Sequence, residues 1–418
     1  MDKPLYFVLL GGNMLCRGIC EKLQSFGYKV LVIDWNQCPA VQGDEHWPMD
    51  VKDAEGIVRA LEQSGYDIDG AFTCIDLAVP TVNAIHRFVG RALMPPAFDT
   101  VLTKAAMRKA WQEAGIFNRY SKTYDASLWD ELKALNAEMK LIIKPNVAAS
   151  SRGITLLEKN SDDDILQAAI EKASQTSFDK HCLIEEFVEG REFTVDMLGD
   201  EENVSVYGIS VKYHSANTNH NRVAVKLHWN SDVYPDEVYE KIATRAKQCY
   251  RALGMKNCYG HLEIIMKPDG RLSPVEIGAR TSGYIGSHLV SEVSGCDYMA
   301  DYIKVIHGGC IEPKDHINGD QSSMWFGYDM PDGGLAKRAC CLADFLPAEV
   351  KVLAFKRESL QAGRRFSIMQ DDNGRDDAGF EMLSAPKKVL TIGLVQAAEQ
   401  AFLKRFFEDT CQPKSNKR

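Results

Sequence analysis

The chain has 418 residues, 45% of them hydrophobic and 26% charged, a length and composition that suit about two or three soluble globular domains. A net charge of -9, from 49 basic and 58 acidic residues, argues against a nucleic-acid groove as its main business, though not against a local basic pocket. The early apolar run Leu5–Leu10 reads as a buried strand, too short for a signal peptide, and nothing later approaches a membrane span. The 12 cysteines are scattered and make no pair of Cys-x-x-Cys motifs, so reduced thiols in a cytoplasmic protein are expected and zinc is not.

The first ~98 residues alternate strand and helix. Leu5–Leu10, Lys29–Asp34 and Ala71–Ile75 read as strands; Met14–Phe26 and a stretch from about Val79 to Val89 read as helices. That is a doubly wound α/β pattern. Gly11-Gly12 after the first strand invites a dinucleotide site with Asp34 as the ribose acid, but the next glycine is Gly18 and the full fingerprint is missing. A structural or substrate-facing turn is favoured. Leu93-Met94-Pro95-Pro96 marks a boundary, and a helix follows from near Thr103-Lys104. An α+β region then runs to about residue 310, and the remainder is rich in short strand-like runs before a helix from about Gly393 to Glu408.

Leu141-Ile142-Ile143-Lys144-Pro145 reads as a strand ending in a lysine, followed by the small-residue loop Asn146–Gly153 and a second strand, Ile154–Leu157. Such a loop can close backbone N–H groups over phosphates while the lysine neutralises charge, or it can be a mobile turn. Further on, Leu183-Ile184-Glu185-Glu186-Phe187-Val188-Glu189-Gly190-Arg191-Glu192 carries an apolar strand into an acidic connector. The connector suits the edge of an adenine and the hydroxyls of a ribose; read alone, it suits a solvated turn better.

The most informative feature is a glutamate pair. Glu263 and Glu276 lie on two strand-like runs joined by Lys267-Pro268-Asp269-Gly270-Arg271, whose Pro-Asp-Gly is strong hairpin-turn chemistry. One carboxylate per strand can point to the same face and share Mg²⁺ with nucleotide phosphates. Arg280 lies four residues past Glu276 in a stretch that is poor helix and poor strand, and a guanidinium there suits a carboxylate or phosphoryl group better than a surface contact. Lys212 and His214 lie at a strand end where a second substrate often binds, His261 shares a strand face with Glu263, and His288 lies on a helix after Gly283-Tyr284-Ile285-Gly286. His220 and His228 read as solvated loop residues.

In that order, these motifs resemble the ATP-grasp superfamily, and more narrowly the carboxylate–amine ligases of the L-amino-acid (dipeptide-forming) type, over roughly residues 1–310. The resemblance implies an ATP-grasp fold of class α/β and α+β. A Rossmann-like N-terminal domain (1–98) would precede a two-lobed ATP-binding domain (99–310, lid lobe about 120–188) and a β-rich C-terminal domain (311–418). It implies phosphate contacts from Lys104 and Lys144, a closing loop at Ser150, Ser151 and Gly153, and an adenine linker at Glu185, Glu186, Phe187 and Val188. Glu192 would bind ribose, Glu263 and Glu276 would bind magnesium (or manganese), and Arg280 would stabilise the transferring phosphoryl group. The implied reaction joins an acid to an amine through an acyl phosphate, with ADP released, in a cytoplasmic homodimer without nucleic-acid or membrane partners. A carboxylase or purine-type enzyme of the same superfamily and a non-catalytic ATP-binding regulator are the alternatives. Two departures stand out: Ala148-Ala149 replaces loop glycines, and Gly278 occupies the place of a frequent asparagine metal ligand.

Overall fold

The computed structural model describes residues 3–94, 101–148, 151–215, 223–281, 283–317, 319–369 and 377–408. The N-terminal part comprises β1 (Leu5–Leu10), α1 (Arg17–Ser25), β2 (Lys29–Asp34), β3 (Glu45–Pro48), α2 (Ala54–Ser64), β4 (Asp67–Thr73) and α3 (Val79–Val89). β1, β2 and β4 are buried at every position but the first, as parallel strands covered on both faces must be. They form a parallel sheet in the order β3-β2-β1-β4. Gly11 closes β1 at φ +99°, with Ile75 Cδ1 2.6 Å from where a Cβ would stand, so only glycine fits. The Gly12 N–H donates to Asp34 Oδ2 at 2.7 Å. Asp34 is therefore engaged in bracing this turn, which agrees with the structural-turn reading. The expected first helix opens with a 3-10 turn at Met14–Cys16 before α1 begins.

The central part begins with α4 (Lys104–Glu113), β5 (Ser121–Thr123), α5 (Trp129–Glu138), β6 (Leu141–Pro145), β7 (Thr155–Leu157), α6 (Asp163–Thr176) and β8 (Cys182–Glu186). Its small antiparallel sheet runs β5-β8-β6-β7 over a core that includes Leu132, Ile143, Leu166 and Ile184. The chain continues through β9 (Arg191–Gly199), β10 (Val204–His214), β11 (Ala224–Trp229), α7 (Asp236–Ala252), β12 (Cys258–Met266) and β13 (Leu272–Gly278). α8 (Gly283–Ser294), α9 (Tyr298–Ile306), β14 (Gln321–Gly327), β15 (Lys351–Lys356), β16 (Phe380–Pro386) and α10 (Ile392–Phe407) complete it. A single eight-stranded antiparallel sheet, ordered β13-β12-β9-β10-β11-β14-β16-β15, takes in all strands from β9 onward.

Strand alternation sorts that sheet's side chains onto two faces. Phe193, Val195, Leu262 and Ile264 pack with Tyr239, Ile242, Ala246 and Tyr250 of α7. On the other face, Tyr207, Trp229 and Tyr259 meet Leu289, Val290, Tyr298 and Tyr302 of α8 and α9, together with Phe7 and Phe72 of the parallel sheet. The expected hairpin is present: Lys267 N–H donates to Arg271 O at 2.9 Å around the Pro-Asp-Gly turn.

One expectation is overturned. His228 is not a solvated loop residue but a fully buried member of β11, its Nε2 2.8 Å from Ser322 Oγ, because β11 lies between β10 and β14 inside the sheet. His220 lies outside the described residues. Among the described residues no helix is long and apolar enough to cross a membrane.

Leu262 is fully buried beneath α7. Leu262→Ala is expected to cost about 2–5 kcal/mol, read as a lower urea midpoint at unchanged slope.

Candidate active site

β12 and β13 carry the glutamate pair in register, Glu263 opposite Glu276, and Glu263 is also opposite Thr194 of β9. The ladder then slips between Glu263 and Ile264, so the strands are irregular next to the carboxylates, where a bulge re-aims a side chain. Each carboxylate meets an ammonium. Lys212 Nζ bridges Glu192 Oε1 at 2.6 Å and Glu263 Oε1 at 2.7 Å, while Lys104 Nζ is 3.0 Å from Glu276 Oε2. His214 Nε2 lies 3.2 Å from the other oxygen of Glu192.

These contacts separate the two carboxylates electrostatically. Burial pushes Glu276 up, but Lys104, helped by Lys144 and Lys212, outweighs it and holds the group at about 2. Burial raises Glu263, and Glu192 and Glu276 add repulsion that Lys212 does not cancel. Glu192 is held well below the ordinary range, because Lys212 and His214 outweigh its burial.

A second cluster lies behind the first. Glu185 Oε1 is 2.6 Å from Arg108 Nε; its Oε2 is 2.7 Å from Lys144 Nζ and 3.3 Å from Arg119 Nη2. Ser121 Oγ also donates to Oε1, at 3.1 Å. Glu185 is fully buried and its three cationic partners are at most 5% exposed, so one carboxylate answers three cations and the cluster carries two excess positive charges. Arg108 Nη1 and Arg119 Nε are buried without a hydrogen-bond partner among the described residues. Burial lowers Lys144 to about 8; Glu185 opposes that shift, and Arg108 and Arg119 reinforce it. For Glu185 itself the three cations outweigh burial and hold the carboxyl well below its ordinary value. Buried, positive in excess and holding unused N–H groups, this cluster suits a polyanion.

Arg280 follows β13. Its Nη2 is 2.7 Å from Asp76 Oδ2, its Nη1 donates to Thr281 O at 2.8 Å, and its buried Nε has no partner among the described residues. Asp76 lies just beyond β4, at the carboxyl edge of the parallel sheet where open α/β sheets collect ligands. A Cβ at Gly278 would stand 2.8 Å from Asp76 Oδ1 and 3.3 Å from Arg280 Cγ, so a larger residue there would have to shift the Asp76 carboxylate. Glu263 and Glu276 present hard oxygens of the kind that could hold a divalent cation. Among the described residues no group of three or more His, Cys, Asp or Glu could hold a metal ion.

Residues 137–288, which take in Lys144, Glu185, Glu192, Lys212, Glu263, Glu276 and Arg280 but not Lys104, Arg108 or Arg119, match the ATP-grasp domain. The chain carries an ATP-grasp domain. Its fold is that of an L-amino acid ligase from Bacillus licheniformis, which superposes with a TM-score of 0.70 at 16% identity over 98% of this chain and 100% of that one. A carboxyaminoimidazole ribonucleotide synthase from Aspergillus clavatus, solved with ATP, gives 0.68 at 17% identity over 96% and 98%. In sequence, an alanine–anticapsin ligase of Bacillus subtilis (strain 168) is 25% identical over 324 residues. That alignment covers 72% of this chain and 63% of the relative, so the chain spans less than two thirds of the length of the relative it matches.

Lys104, Lys144, Glu185, Glu192, Lys212, His214, Glu263 and Glu276 all take part in the ion pairs above. Ser151 and Gly153 lie in the loop after β6, Gly153 at φ +73° with Thr176 2.7 Å from where a Cβ would stand; Ser150 lies outside the described residues. Glu185 belongs to β8, with its carboxylate turned into the cationic cluster, whereas Phe187 and Val188 follow the strand. His261 faces Asp196, Nδ1 to Oδ1 at 3.1 Å. His288 stands apart from these ion pairs, its ring packed over Gly18 of α1. Arg108, Arg119, Asp76 and Asp196 escape the sequence reading. Arg108 lies one helical turn after Lys104, a spacing that could have revealed it.

Replacing Glu185 leaves three cations uncompensated. Glu185→Gln is expected to lose about 3–5 kcal/mol. Because its folded pKa is depressed, Glu185 contributes stability at neutral pH that is lost as pH falls through that pKa. Urea unfolding across the acid range should therefore decline less steeply for the variant than for the wild type.

Proposed function

We propose that the protein is an ATP-dependent carboxylate–amine ligase that forms an amide through an acyl phosphate and releases ADP and phosphate. The observation that carries this reading is the registered Glu263–Glu276 pair, with Arg280 beyond it and a buried cationic excess behind it, within an ATP-grasp domain. Simple nucleotide binding would not call for all three. Its similarity to an alanine–anticapsin ligase and an L-amino acid ligase favours amino acids or small derivatives as substrates.

In this reading Lys104, Lys144, Arg108 and Arg119 offset the charge of the triphosphate, and the loop with Ser150, Ser151 and Gly153 closes over it. Glu186, Phe187 and Val188 border the adenine and Glu192 the ribose. Glu263 and Glu276 would hold magnesium, which supplies charge neutralisation between the phosphates when bound. The acid's carboxylate oxygen attacks the γ-phosphorus and ADP leaves. Arg280 exchanges Asp76 for the transferring phosphoryl group and then for the acyl phosphate. The amine attacks the acyl carbon, and phosphate departs with the electrons of the broken C–O bond as the nitrogen loses its proton. Lys212, His214, His261 and the N-terminal domain border the acid and amine. The chain divides near residues 98 and 310, works as a homodimer and, with the cysteines among the described residues unpaired, in the cytoplasm.

The reading is tested by ADP and phosphate release from Mg-ATP across pooled amino acids and small carboxylates, with mass spectrometry of active wells. A condensed product lighter by one water, with ADP and not AMP, supports it; AMP, or a carboxylated product, argues for another chemistry. Glu276→Gln and Arg280→Ala are each expected to lower acid-dependent ADP release by at least about 100-fold while circular dichroism is unchanged. Full activity in either variant would remove that residue's role. Lys144 offers a readout independent of turnover. An incoming polyanion raises its pKa from about 8, so nucleotide binding near that pH takes up roughly half a proton, seen by calorimetry in buffers of differing ionisation enthalpy. Lys144→Met should abolish the uptake.

A further inference from the structure

One buried carboxylate of the large sheet has no place in the ion pairs described above. Asp196 of β9 lies opposite His261 of β12, its Oδ1 3.1 Å from His261 Nδ1, and its Oδ2 accepts from Trp229 Nε1 of β11 at 3.0 Å. Asp196 and Trp229 are fully buried. Among the described residues no lysine or arginine pairs with Asp196, so two ring N–H groups hold it, unlike Glu185, Glu192 and Glu276. Apolar side chains often fill such a place as well. What the carboxylate adds is a ring fixed in orientation.

The hydrogen bonding of that ring is dictated by its partner. A carboxylate has no proton to give, so Nδ1 donates, and Nε2 of the neutral imidazole keeps a lone pair. Nε2 makes no hydrogen bond among the described residues, and the side chain is 11% exposed. His261 and Glu263 are two apart on β12 and share a face, with Glu276 opposite Glu263 and Gly278 opposite His261. Gly278 leaves its space to Asp76 Oδ1 and Arg280 Cγ, 2.8 and 3.3 Å from where a Cβ would stand. The cross-strand neighbour of His261 is therefore the place where Arg280 meets Asp76. Around it, Arg280, Lys104 and Lys212 offer only donors, and each already engages an acid: Asp76, Glu276 and Glu263. His261 Nε2 is an acceptor that none of them takes.

We infer, resting on the ligase reading, that His261 is the residue that receives the amine. An uncharged amine donates an N–H to Nε2 and keeps its own lone pair for the acyl carbon. The acid, met by the Arg280 donors, has no use for this acceptor, so His261 discriminates between the two substrates. Asp196 is a positioning residue: with Trp229 fixing its other oxygen, it keeps the hydrogen on Nδ1 and the lone pair on Nε2.

Nitrogen NMR of the full chain, isotopically labelled and with His261 assigned through the backbone, reads the ring without turnover and without any variant. The wild type is expected to carry its hydrogen on Nδ1; a ring with the hydrogen on Nε2 overturns the inference. Asp196→Asn should reverse the tautomer. Trp229 can only donate, so the amide oxygen goes to it and the amide NH2 group faces Nδ1. Kinetics with the amino-acid pair that the wild type joins in the pooled screen then separate the two substrates. Asp196→Asn and His261→Ala are each expected to raise the amine KM at least about tenfold more than the acid KM. His261→Gln, whose amide oxygen can accept in place of Nε2, should recover part of the loss. Equal changes in both constants, or none, would overturn this inference and leave the ligase reading intact. A wild type that joins no pair fails the ligase reading, and the inference falls with it.

Discussion

Burying one carboxylate among three cations ties a helix to the small sheet and that sheet to the glutamate hairpin. Arg108 comes from α4, Arg119 from the approach to β5, Lys144 from the end of β6 and Glu185 from β8. Arg119 also reaches Pro274 O on β13 at 3.4 Å, so the same cluster joins the small sheet to the glutamate hairpin. Ion pairs at this depth lose their hydration and are retained only where geometry and further contacts compensate. Part of the compensation is aromatic: the Arg108 and Arg119 guanidinium groups lie 4.9 Å from the Phe117 ring centre, and Arg108 lies 5.6 Å from that of Trp111. Glu185 alone leaves the cluster positive, an excess that an anion would offset. Structure and chemistry thus share one constraint.

Charge alternates outward from that cluster. Lys104 separates the cationic group from Glu276, Lys212 stands between Glu263 and Glu192, and Asp76 holds Arg280. Glu192 and Glu276 both repel Glu263 in this buried setting. Setting a lysine between them lets the strands pair in register while each acid keeps a partner. The arrangement also gives two neighbouring carboxylates opposite tendencies, Glu276 lowered and Glu263 raised, as expected where their environments are meant to differ.

Legibility followed sequence distance. Apolar runs of period two and amphipathic helices identified the parallel sheet, the glutamate hairpin and the last helix, because each is local. Lys144, Glu192, Glu263, Glu276 and Arg280 could be singled out because each lies in a short motif. Their partners could not. Asp76 and Arg280 are 204 residues apart, and Arg119 and Glu185 are 66 apart, so no window of sequence contains both members. His228 was misread for a related reason. It reads as a solvated loop residue, but its segment is β11, which pairs with β14 from far along the chain, and Lys226 of the same strand pairs with Glu399 of α10 at 2.9 Å. Burial supplied by a distant element leaves no local trace.

Gly278 shows how such distant contacts decide chemistry. In isolation, a glycine two residues after the second glutamate looks like a lost metal ligand. In the fold, the space beside it belongs to Asp76 and Arg280, which a Cβ would approach to 2.8 and 3.3 Å. The Arg280–Asp76 pair thus fills this volume, and Asp76, just beyond β4 of the parallel sheet, bears directly on where the Arg280 guanidinium points. Changes around Asp76 can therefore shift that guanidinium without altering Glu263 or Glu276, because their path to it runs through the Asp76–Arg280 ion pair.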